Sequence, residues 1–378
     1  MGGNTLKSKI IDELMRLYHA YGWFNGSVLV AEAGQVIYEQ GLGWANLEWR
    51  IPNQPDTKFR LGSITKQFTA VLILQLVEQG KLQLAQKVSE VLPWYRPDSG
   101  GRISIHNLLT HTSGVPNYTD TPDFMEIERN HFAVRDFAEK YCSGDLEFEP
   151  GTRYSYSNSG YFLLGAIIEA TSGKTYEEML NERIFTPLGM TDSGCDSHAR
   201  IIERRACGYE RDYDDITNCA YIDMSIPFAA GAIYSTVRDL YKWDRALYTE
   251  QLLTEQCRQL LYTPFLENYA YGWAVDRLTP EHVGQFLIRG RAFQDEGGHL
   301  IAEHNGGIDG FSSLIVRDLS ARHLVVLLSN FGEARLEEMA ANVLQVIYGL
   351  DYRDHRDAPE RWGRFSPFTF MSTKAFSE

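Results

Sequence analysis

The chain has 378 residues, of which 44% are hydrophobic and 23% are charged, which is enough to build a large core in two or three packed units. Its formal net charge of -14 disfavours a nucleic-acid partner or an anionic membrane surface. The five cysteines are scattered and form no Cys-x-x-Cys pair, a pattern typical of free thiols in a reducing compartment.

The first residues of the chain lack the basic region and the apolar stretch of a signal peptide. The longest apolar run lies within residues 70–77 and is too short to span a bilayer. We therefore expect a cytoplasmic protein without a membrane span, although a leader removed earlier is compatible with this sequence. The sequence leaves the oligomeric state unknown.

The spacing of apolar residues predicts the elements, because a repeat of three to four residues indicates a helix and strict alternation indicates a strand. The polar stretch 194–225, with Asp212, Asp214 and Asp215, is predicted to be a solvated loop, and the tail beyond Leu350 to be an arm packed on the body. In chain order the pattern predicts a helix at 6–21, a hairpin of strands at 27–32 and 35–40, a buried helix from Ser63 to Gly80, helices at 161–170, 176–185 and 231–247, strands at 271–275, 299–304, 311–316 and 324–329, and a closing helix at 335–348.

Strands at both ends of the chain and helices between them imply a discontinuous arrangement. We predict an α/β (α+β) fold in which an antiparallel sheet from both chain ends is covered by the two terminal helices, with an all-helical domain inserted between them. The sheet domain comprises residues 1–85 and 260–378 in this prediction, and the mainly helical inserted domain comprises residues 86–259.

Ser63 and Lys66 stand at the start of the predicted buried helix. Residues three apart share a helix face, so the amine of Lys66 is expected near the hydroxyl of Ser63. A desolvated lysine can serve as the base that makes a serine nucleophilic, and the amino end of a helix favours developing negative charge. Because Ser-x-x-Lys also arises by chance, partners must come from elsewhere in the chain.

Tyr156-Ser157-Asn158 supplies candidate partners. The tripeptide follows a Pro-Gly turn and precedes an apolar helix, so Tyr156 is predicted to stand on a loop at a helix start. A nearby lysine ammonium would favour the phenolate of Tyr156 and make it a second candidate base. Asn158 offers both a donor and an acceptor for the lysine and for an acyl amide.

His304-Asn305-Gly306-Gly307 ends one predicted strand and precedes the next. Glycines at this point let a substrate lie along the strand edge, because no Cβ stands in the way. The alternative is a tight connection between two strands with no part in binding.

The chain carries three motifs in this order: Ser63-x-x-Lys66, Tyr156-Ser157-Asn158 and His304-Asn305-Gly306. They resemble the motifs of the serine β-lactamase and penicillin-binding-protein superfamily, whose class A members carry S-x-x-K, S-D-N and K-T-G. The version here is similar to that of class C-like serine hydrolases, which include family VIII-type esterases and D-aminopeptidases. Framing stretches at 108–114, 150–153 and 184–190 are also similar, and the resemblance covers about residues 26–350.

The resemblance implies the β-lactamase/transpeptidase-like fold and a serine hydrolase that works through an acyl-enzyme, without metal or cofactor. Carried over by position, Ser63 attacks an acyl carbonyl, and Lys66 and Tyr156 share the proton transfers. Asn158 orients Lys66 and the substrate. The backbone N–H groups of Ser63 and Gly307 form the oxyanion hole in this scheme.

His304 and Gly306 fall on the strand that binds substrate in the resembling family. Typical β-lactamases carry Lys at the position of His304, where it helps to hold the substrate carboxylate. A histidine is mostly neutral at pH 7 and attracts that carboxylate less. This departure favours esters or small peptides over β-lactams.

We therefore predict a carboxylesterase or a D-amino-acid-specific peptidase, with a small-molecule ester, amide or β-lactam as its partner. A β-lactamase or DD-carboxypeptidase is the alternative, and a penicillin-binding or scaffolding protein with little turnover is the alternative of another class. Glu177 mimics a class A motif but is predicted to point outward from a surface helix. His106 and His111 lack metal-ligand partners at a suitable spacing.

Overall fold

The computed structural model describes residues 2–212, 215–289, 297–332 and 334–352. Its amino-terminal part confirms the predicted helix, hairpin and buried helix. The elements of this part are α1 Gly2–Ala20, β1 Gly26–Glu32, β2 Gln35–Leu42, β3 Trp44–Asn46, β4 Ile51–Pro52, β5 Phe59–Arg60, a 3₁₀ turn Gly62–Ile64 and α2 Thr65–Glu78. Gly80, with a φ of +67°, follows the end of α2, where a left-handed residue closes the helix.

The middle of the chain is mostly helical, as predicted, and it adds short strands. Its elements are α3 Val88–Val91, α4 Pro97–Gly100, α5 Ile105–Leu109, a 3₁₀ turn Tyr118–Asp120, α6 Phe124–Ile127, α7 Val134–Tyr141, α8 Asn158–Ser172, α9 Tyr176–Leu180, a π-helical turn Asn181–Phe185, α10 Thr186–Leu188, β6 Gly194–Cys195, β7 Tyr209–Asp212, β8 Asp215–Asn218, α11 Phe228–Gly231, β9 Ile233–Ser235, α12 Val237–Ala246 and α13 Glu255–Leu260.

The carboxy-terminal part returns to strands. Its elements are β10 Ala274–Leu278, α14 Pro280–Arg289, β11 His299–Ile308, β12 Phe311–Asp318, β13 His323–Ser329 and α15 Leu336–Tyr348. Strands from both chain ends form one six-stranded sheet in the order β10-β11-β12-β13-β1-β2, and every neighbouring pair is antiparallel. This sheet, with helices packed on it, confirms the predicted fold class.

Two apolar cores lie on the two faces of the sheet. One packs α1, α14 and α15 against residues such as Val28 and Val325. The other packs α2, α8 and α12 against the opposite face. Because both faces are covered, β1 and β13 are almost continuously apolar and buried rather than alternating. The boundaries of the two predicted domains stay a prediction.

Several predicted elements differ from the structure. The strand expected to end at His304 continues to Ile308, because Gly306 and Gly307 pair with Ser313 and Ser312 of β12. Other departures are a first carboxy-terminal strand that begins at Ala274, strand β9 where a helix start was predicted, helix α14, which was not predicted, and the hairpin β7-β8 in place of a loop around Asp212 and Asp215.

Two predicted features lie outside the described residues, namely Asp214 and the arm beyond residue 352. Within the residues that the structure describes, a helix long and apolar enough to cross a membrane is absent.

Candidate active site

Ser63 lies in the 3₁₀ turn that leads directly into α2. Gly62, just before it, has a φ of +52°, a conformation that residues with a Cβ rarely adopt. A Cβ at that position would lie 2.8 Å from the carbonyl oxygen of Gly307. The turn therefore holds Ser63 close against the edge of β11. The predicted helix start near Ser63 is confirmed, with a first turn of 3₁₀ geometry.

Lys66 is completely buried one turn after Ser63. Its Nζ lies 2.9 Å from Ser63 Oγ, 2.8 Å from Asn158 Oδ1 and 3.0 Å from the carbonyl oxygen of Ala230. The amide and carbonyl oxygens can only accept hydrogen bonds. A neutral amine can give one N–H to each of them and keep its lone pair for the hydroxyl of Ser63.

The charge state of Lys66 follows from these surroundings. Burial lowers the pKa of Lys66 well below its ordinary value, because the ammonium loses its hydration. Within the described residues, its hydrogen-bond partners are neutral oxygens and no carboxylate. The neutral amine is therefore favoured, and it is the form that can take a proton from Ser63.

Tyr156 stands on the other side of the serine, and its hydroxyl donates to Ser63 Oγ at 2.8 Å. The Nζ of Lys66 lies 4.8 Å from the centre of the tyrosine ring. Burial raises the pKa of Tyr156, so the phenol keeps its proton. The expectation that Lys66 favours the phenolate is wrong in the free protein, because burial suppresses both the ammonium and the phenolate.

Asn158 is the first residue of α8 and is held from several directions. Its Oδ1 accepts from Lys66, its backbone N–H donates to Asn117 Oδ1 at 3.0 Å, and its Nδ2 donates to Thr119 Oγ1 at 3.4 Å. The side-chain oxygen of Ser157 caps the same helix. The amide oxygen of Asn158 is thereby fixed toward the lysine.

His304 is buried on β11, and both of its ring nitrogens have protein partners. Nδ1 lies 2.5 Å from the carbonyl oxygen of Asn305 and Nε2 lies 3.0 Å from Tyr269 Oη. Since a carbonyl only accepts, the proton is on Nδ1 and the tyrosine donates to Nε2. Burial is the main cause that lowers the pKa of His304 to about 3. His304 is therefore neutral and offers no cation to a substrate carboxylate.

Gly306 and Gly307 bring the strand edge to the backbone of the serine turn. A Cβ on Gly306 would lie 2.0 Å from the carbonyl oxygen of Leu61 and 3.0 Å from the backbone nitrogen of Ser63. Ser313 Oγ also donates to Leu61 O at 2.7 Å and fastens the turn to β12. Only glycine permits this approach. The pairing of the Ser63 and Gly307 N–H groups as an oxyanion hole stays a prediction.

His111 holds the loop of Tyr156, a role that the sequence did not indicate. It is fully buried, with a φ of +55°. Its carbonyl accepts from the N–H of Ser155 at 2.9 Å, its Nδ1 accepts from the N–H of Ser157 at 3.1 Å, and its ring centre lies 4.3 Å from that of Tyr156. One residue thus binds both chain neighbours of Tyr156. No local pattern could reveal this contact, because it joins separate loops.

Glu177 and His106, which the sequence also brought into consideration, have partners elsewhere in the structure. Glu177 Oε1 pairs with Arg200 Nη1 at 2.6 Å on the surface, as expected for an outward-facing residue. His106 Nδ1 lies 2.8 Å from Tyr271 Oη. Neither side chain belongs to the cluster around Ser63.

Comparisons with known proteins find similarity along nearly the whole chain. The beta-lactamase family pattern matches residues 8–347. Penicillin-binding protein 4* of Bacillus subtilis (strain 168) is 30% identical over 365 residues, which cover 89% of this chain and 74% of that protein.

Solved structures show the same likeness. A penicillin binding protein from Bacillus halodurans superposes with a TM-score of 0.74 at 28% identity, covering 87% of this chain and 98% of the other. The D-amino acid amidase of Ochrobactrum anthropi SV3, complexed with L-phenylalanine amide, superposes with a TM-score of 0.74 at 25% identity, covering 92% of this chain and 99% of the other. The similarity therefore spans both the sheet and the helices that surround Ser63.

Proposed function

Because the chain belongs to the beta-lactamase family, we propose that it hydrolyses carboxylic esters and D-amino-acid amides or short peptides through an acyl-enzyme on Ser63. Membership of the family makes the chain a serine-type hydrolase, and the resemblance noted in its motifs is confirmed. The observation that carries the finer proposal is the position of Ser63 Oγ, 2.9 Å from Lys66 Nζ and 2.8 Å from Tyr156 Oη.

Acylation begins with the neutral amine of Lys66. As Ser63 Oγ forms a bond to the acyl carbon, its proton moves to the lone pair of Lys66, while Asn158 and the carbonyl of Ala230 hold the other two N–H groups. The carbonyl oxygen of the substrate becomes negative and lies toward the N–H groups of Ser63 and Gly307.

Tyr156 completes the proton transfers. When the tetrahedral intermediate collapses, the bond from the acyl carbon to the leaving group breaks, and the phenol of Tyr156 gives its proton to that group. The ammonium of Lys66 then restores the proton of Tyr156. Water attacks the acyl-enzyme with the same groups as base, and Ser63 recovers its proton as the acid is released.

The substrate preference follows from the charges near β11. His304 is neutral, and its nitrogens are occupied by Asn305 and Tyr269. A cleft of about 470 Å³ beside Gly307 is lined by three acidic residues, Glu210, Asp309 and Glu337. Within the described part of the chain, no lysine or arginine lines this cleft. These charges disfavour the carboxylate of β-lactams at this point and support esters and amides instead.

A second candidate function is that of a penicillin-binding protein with DD-carboxypeptidase or β-lactamase activity. The 30% identity with Penicillin-binding protein 4* favours it. If Ser63 is acylated but water is poorly activated, this second function would show slow turnover with a long-lived acyl adduct.

The test is a substrate panel on the wild-type protein and on Ser63→Ala. We expect wild type to turn over p-nitrophenyl butyrate and D-alanine p-nitroanilide faster than nitrocefin, and Ser63→Ala to lose all three activities. Ester turnover that survives in Ser63→Ala would refute the proposed nucleophile. Nitrocefin turnover above that of the ester and the anilide would favour the second candidate.

A further inference from the structure

A second cleft, of about 570 Å³, shares Phe311 in its lining with the acidic one. Its wall carries basic and aromatic side chains, which include Arg60, Arg200, Arg205, His198, Tyr221 and Phe311. Among the described residues that line it, there is no aspartate or glutamate. The two clefts therefore carry side chains of opposite charge and have one phenylalanine in common.

Two arginines of the basic cleft share one carboxylate. The carboxylate of Asp196 is fully buried and is shared by two arginines: Arg60 Nε lies 2.6 Å from one oxygen, and Arg205 Nη1 bonds the other. One anion neutralises only one of the two cations. Arg200 pairs with Glu177, which lies outside the cleft. Asp309, which lines the acidic cleft, also interacts with the charge of Arg60, whereas the described wall of the basic cleft itself carries arginines and no carboxylate.

Arg60 also has a hydrogen-bond donor without a proper acceptor. His198 Nε2 lies 2.8 Å from the carbonyl oxygen of Ile222, so this nitrogen carries the proton and donates. Arg60 Nη2 lies 3.2 Å from the same nitrogen and thus faces a donor. An anion in the cleft would accept this N–H and remove the conflict.

Two residues of the cleft wall are linked to the Ser63 site, one along the chain and one through strand pairing. Arg60 precedes Ser63 by three residues, and its guanidinium carbon lies 5.6 Å from the centre of the Phe311 ring. Phe311 pairs with Ile308, the residue after Gly307. The loop of Tyr156, which serves the leaving group, contributes no residue to this cleft. The acyl portion of a substrate is the part that can extend toward it.

We propose that this cleft binds a carboxylate carried on the acyl chain of the substrate, several bonds from the scissile carbonyl. The proposal rests on the proposed function of Ser63. Arg60 and Arg205 present planar guanidinium groups that match a carboxylate, and Phe311 and Tyr221 pack on the methylene groups that lead to it. An acyl chain without an anion gains only the packing.

The experiment compares two esters of equal chain length, p-nitrophenyl hexanoate and mono-p-nitrophenyl adipate. We expect wild type to show a higher kcat/KM for the adipate, and Arg205→Gln to lower the adipate-to-hexanoate ratio about tenfold. Arg204→Gln is the matched control, because Arg204 is exposed, pairs with Asp56 and Asp192, and does not line the cleft. Arg205→Lys should recover part of the ratio. A ratio that is the same in Arg205→Gln and Arg204→Gln would overturn the proposal.

A binding measurement separates this proposal from the proposed function. Calorimetry on Ser63→Ala, which keeps the arginines, compares adipamate with hexanamide and needs no turnover. Tighter binding of adipamate that Arg205→Gln abolishes supports the anion subsite even if neither ester is hydrolysed. Equal binding of the two amides overturns the subsite even if Ser63 proves to be the nucleophile.

Discussion

Lys66 and Arg317 are two completely buried basic side chains whose surroundings favour opposite charge states. Arg317 Nε lies 2.6 Å from Asp244 Oδ1, and its guanidinium also bonds Tyr262. Burial by itself lowers the pKa of Arg317, but Tyr262 and Asp244 outweigh it and keep the guanidinium charged. Lys66 meets only neutral oxygens among the described residues, and its pKa falls well below the ordinary value.

This difference in surroundings favours a structural role for Arg317 and a chemical role for Lys66. A buried charge with a fitted counter-charge fixes the surrounding helices and strands, and it has no proton to exchange near neutral pH. A buried amine without a counter-charge is poised to accept a proton as soon as a neighbouring hydroxyl reacts. The hydroxyl proposed to react, Ser63 Oγ, lies 2.9 Å away. We therefore expect Lys66 to matter for rate and Arg317 for stability.

The largest expected effect is on activity in Lys66→Met. Loss of the proposed general base should lower kcat for p-nitrophenyl butyrate by about 10³-fold. The free energy of unfolding should change by no more than about 1 kcal/mol, because relief from burying an amine offsets the lost bonds to Asn158 and Ala230. Ester kinetics and urea unfolding measure the two effects. Lys66→Met with wild-type turnover would remove lysine from the mechanism.

Arg317→Met should show the reverse pattern. Removing the guanidinium takes away one of the two arginines that bind the buried carboxylate of Asp244, and Arg245 remains, so the free energy of unfolding should fall by about 1.5–3 kcal/mol. The kcat of the folded fraction should stay near that of wild type. Arg135→Met is the control, since Arg135 pairs with Glu139 on the surface, where an ion pair contributes little. Equal unfolding midpoints for the two variants would show that burial does not distinguish these pairs.

A smaller effect is expected at His111, which positions Tyr156. His111→Leu removes the acceptor for the N–H of Ser157 and should lower kcat for D-alanine p-nitroanilide about tenfold, with KM little changed. His111→Asn keeps an acceptor at the same place and tolerates a positive φ, so it should retain most of the activity.

A comparison of two leaving groups distinguishes a positioning role of His111 from a loss of folding in the variant. In the proposed mechanism Tyr156 protonates the leaving group, so His111→Leu should affect the anilide more than p-nitrophenyl butyrate, whose leaving group needs no proton. Equal losses on both substrates, accompanied by a lower melting temperature, would assign His111 a structural role only.

The sequence predicted those parts of the molecule that depend on local periodicity. Ser63 and Lys66 share a helix face, and the sheet strands were recognisable from apolar runs, so the fold class followed. The strand through Gly306 was predicted too short, because its pairing with Ser313 depends on a distant segment. The bond from Lys66 to the carbonyl of Ala230 and the loop contacts of His111 also join distant segments, so the sequence did not predict them. Charge states were also out of reach, since they depend on burial rather than on residue type.

The pH dependence of kcat/KM tests most directly whether Lys66 is a buried neutral base. The active free enzyme carries the amine, so kcat/KM falls as pH drops through the pKa of Lys66. Because burial lowers that pKa, the rate for p-nitrophenyl butyrate should rise with pH and level off well before the ordinary lysine value of about 10.4. A rate that continues to rise until that value would contradict the account, because Lys66 would then be an ordinary ammonium that must first be deprotonated.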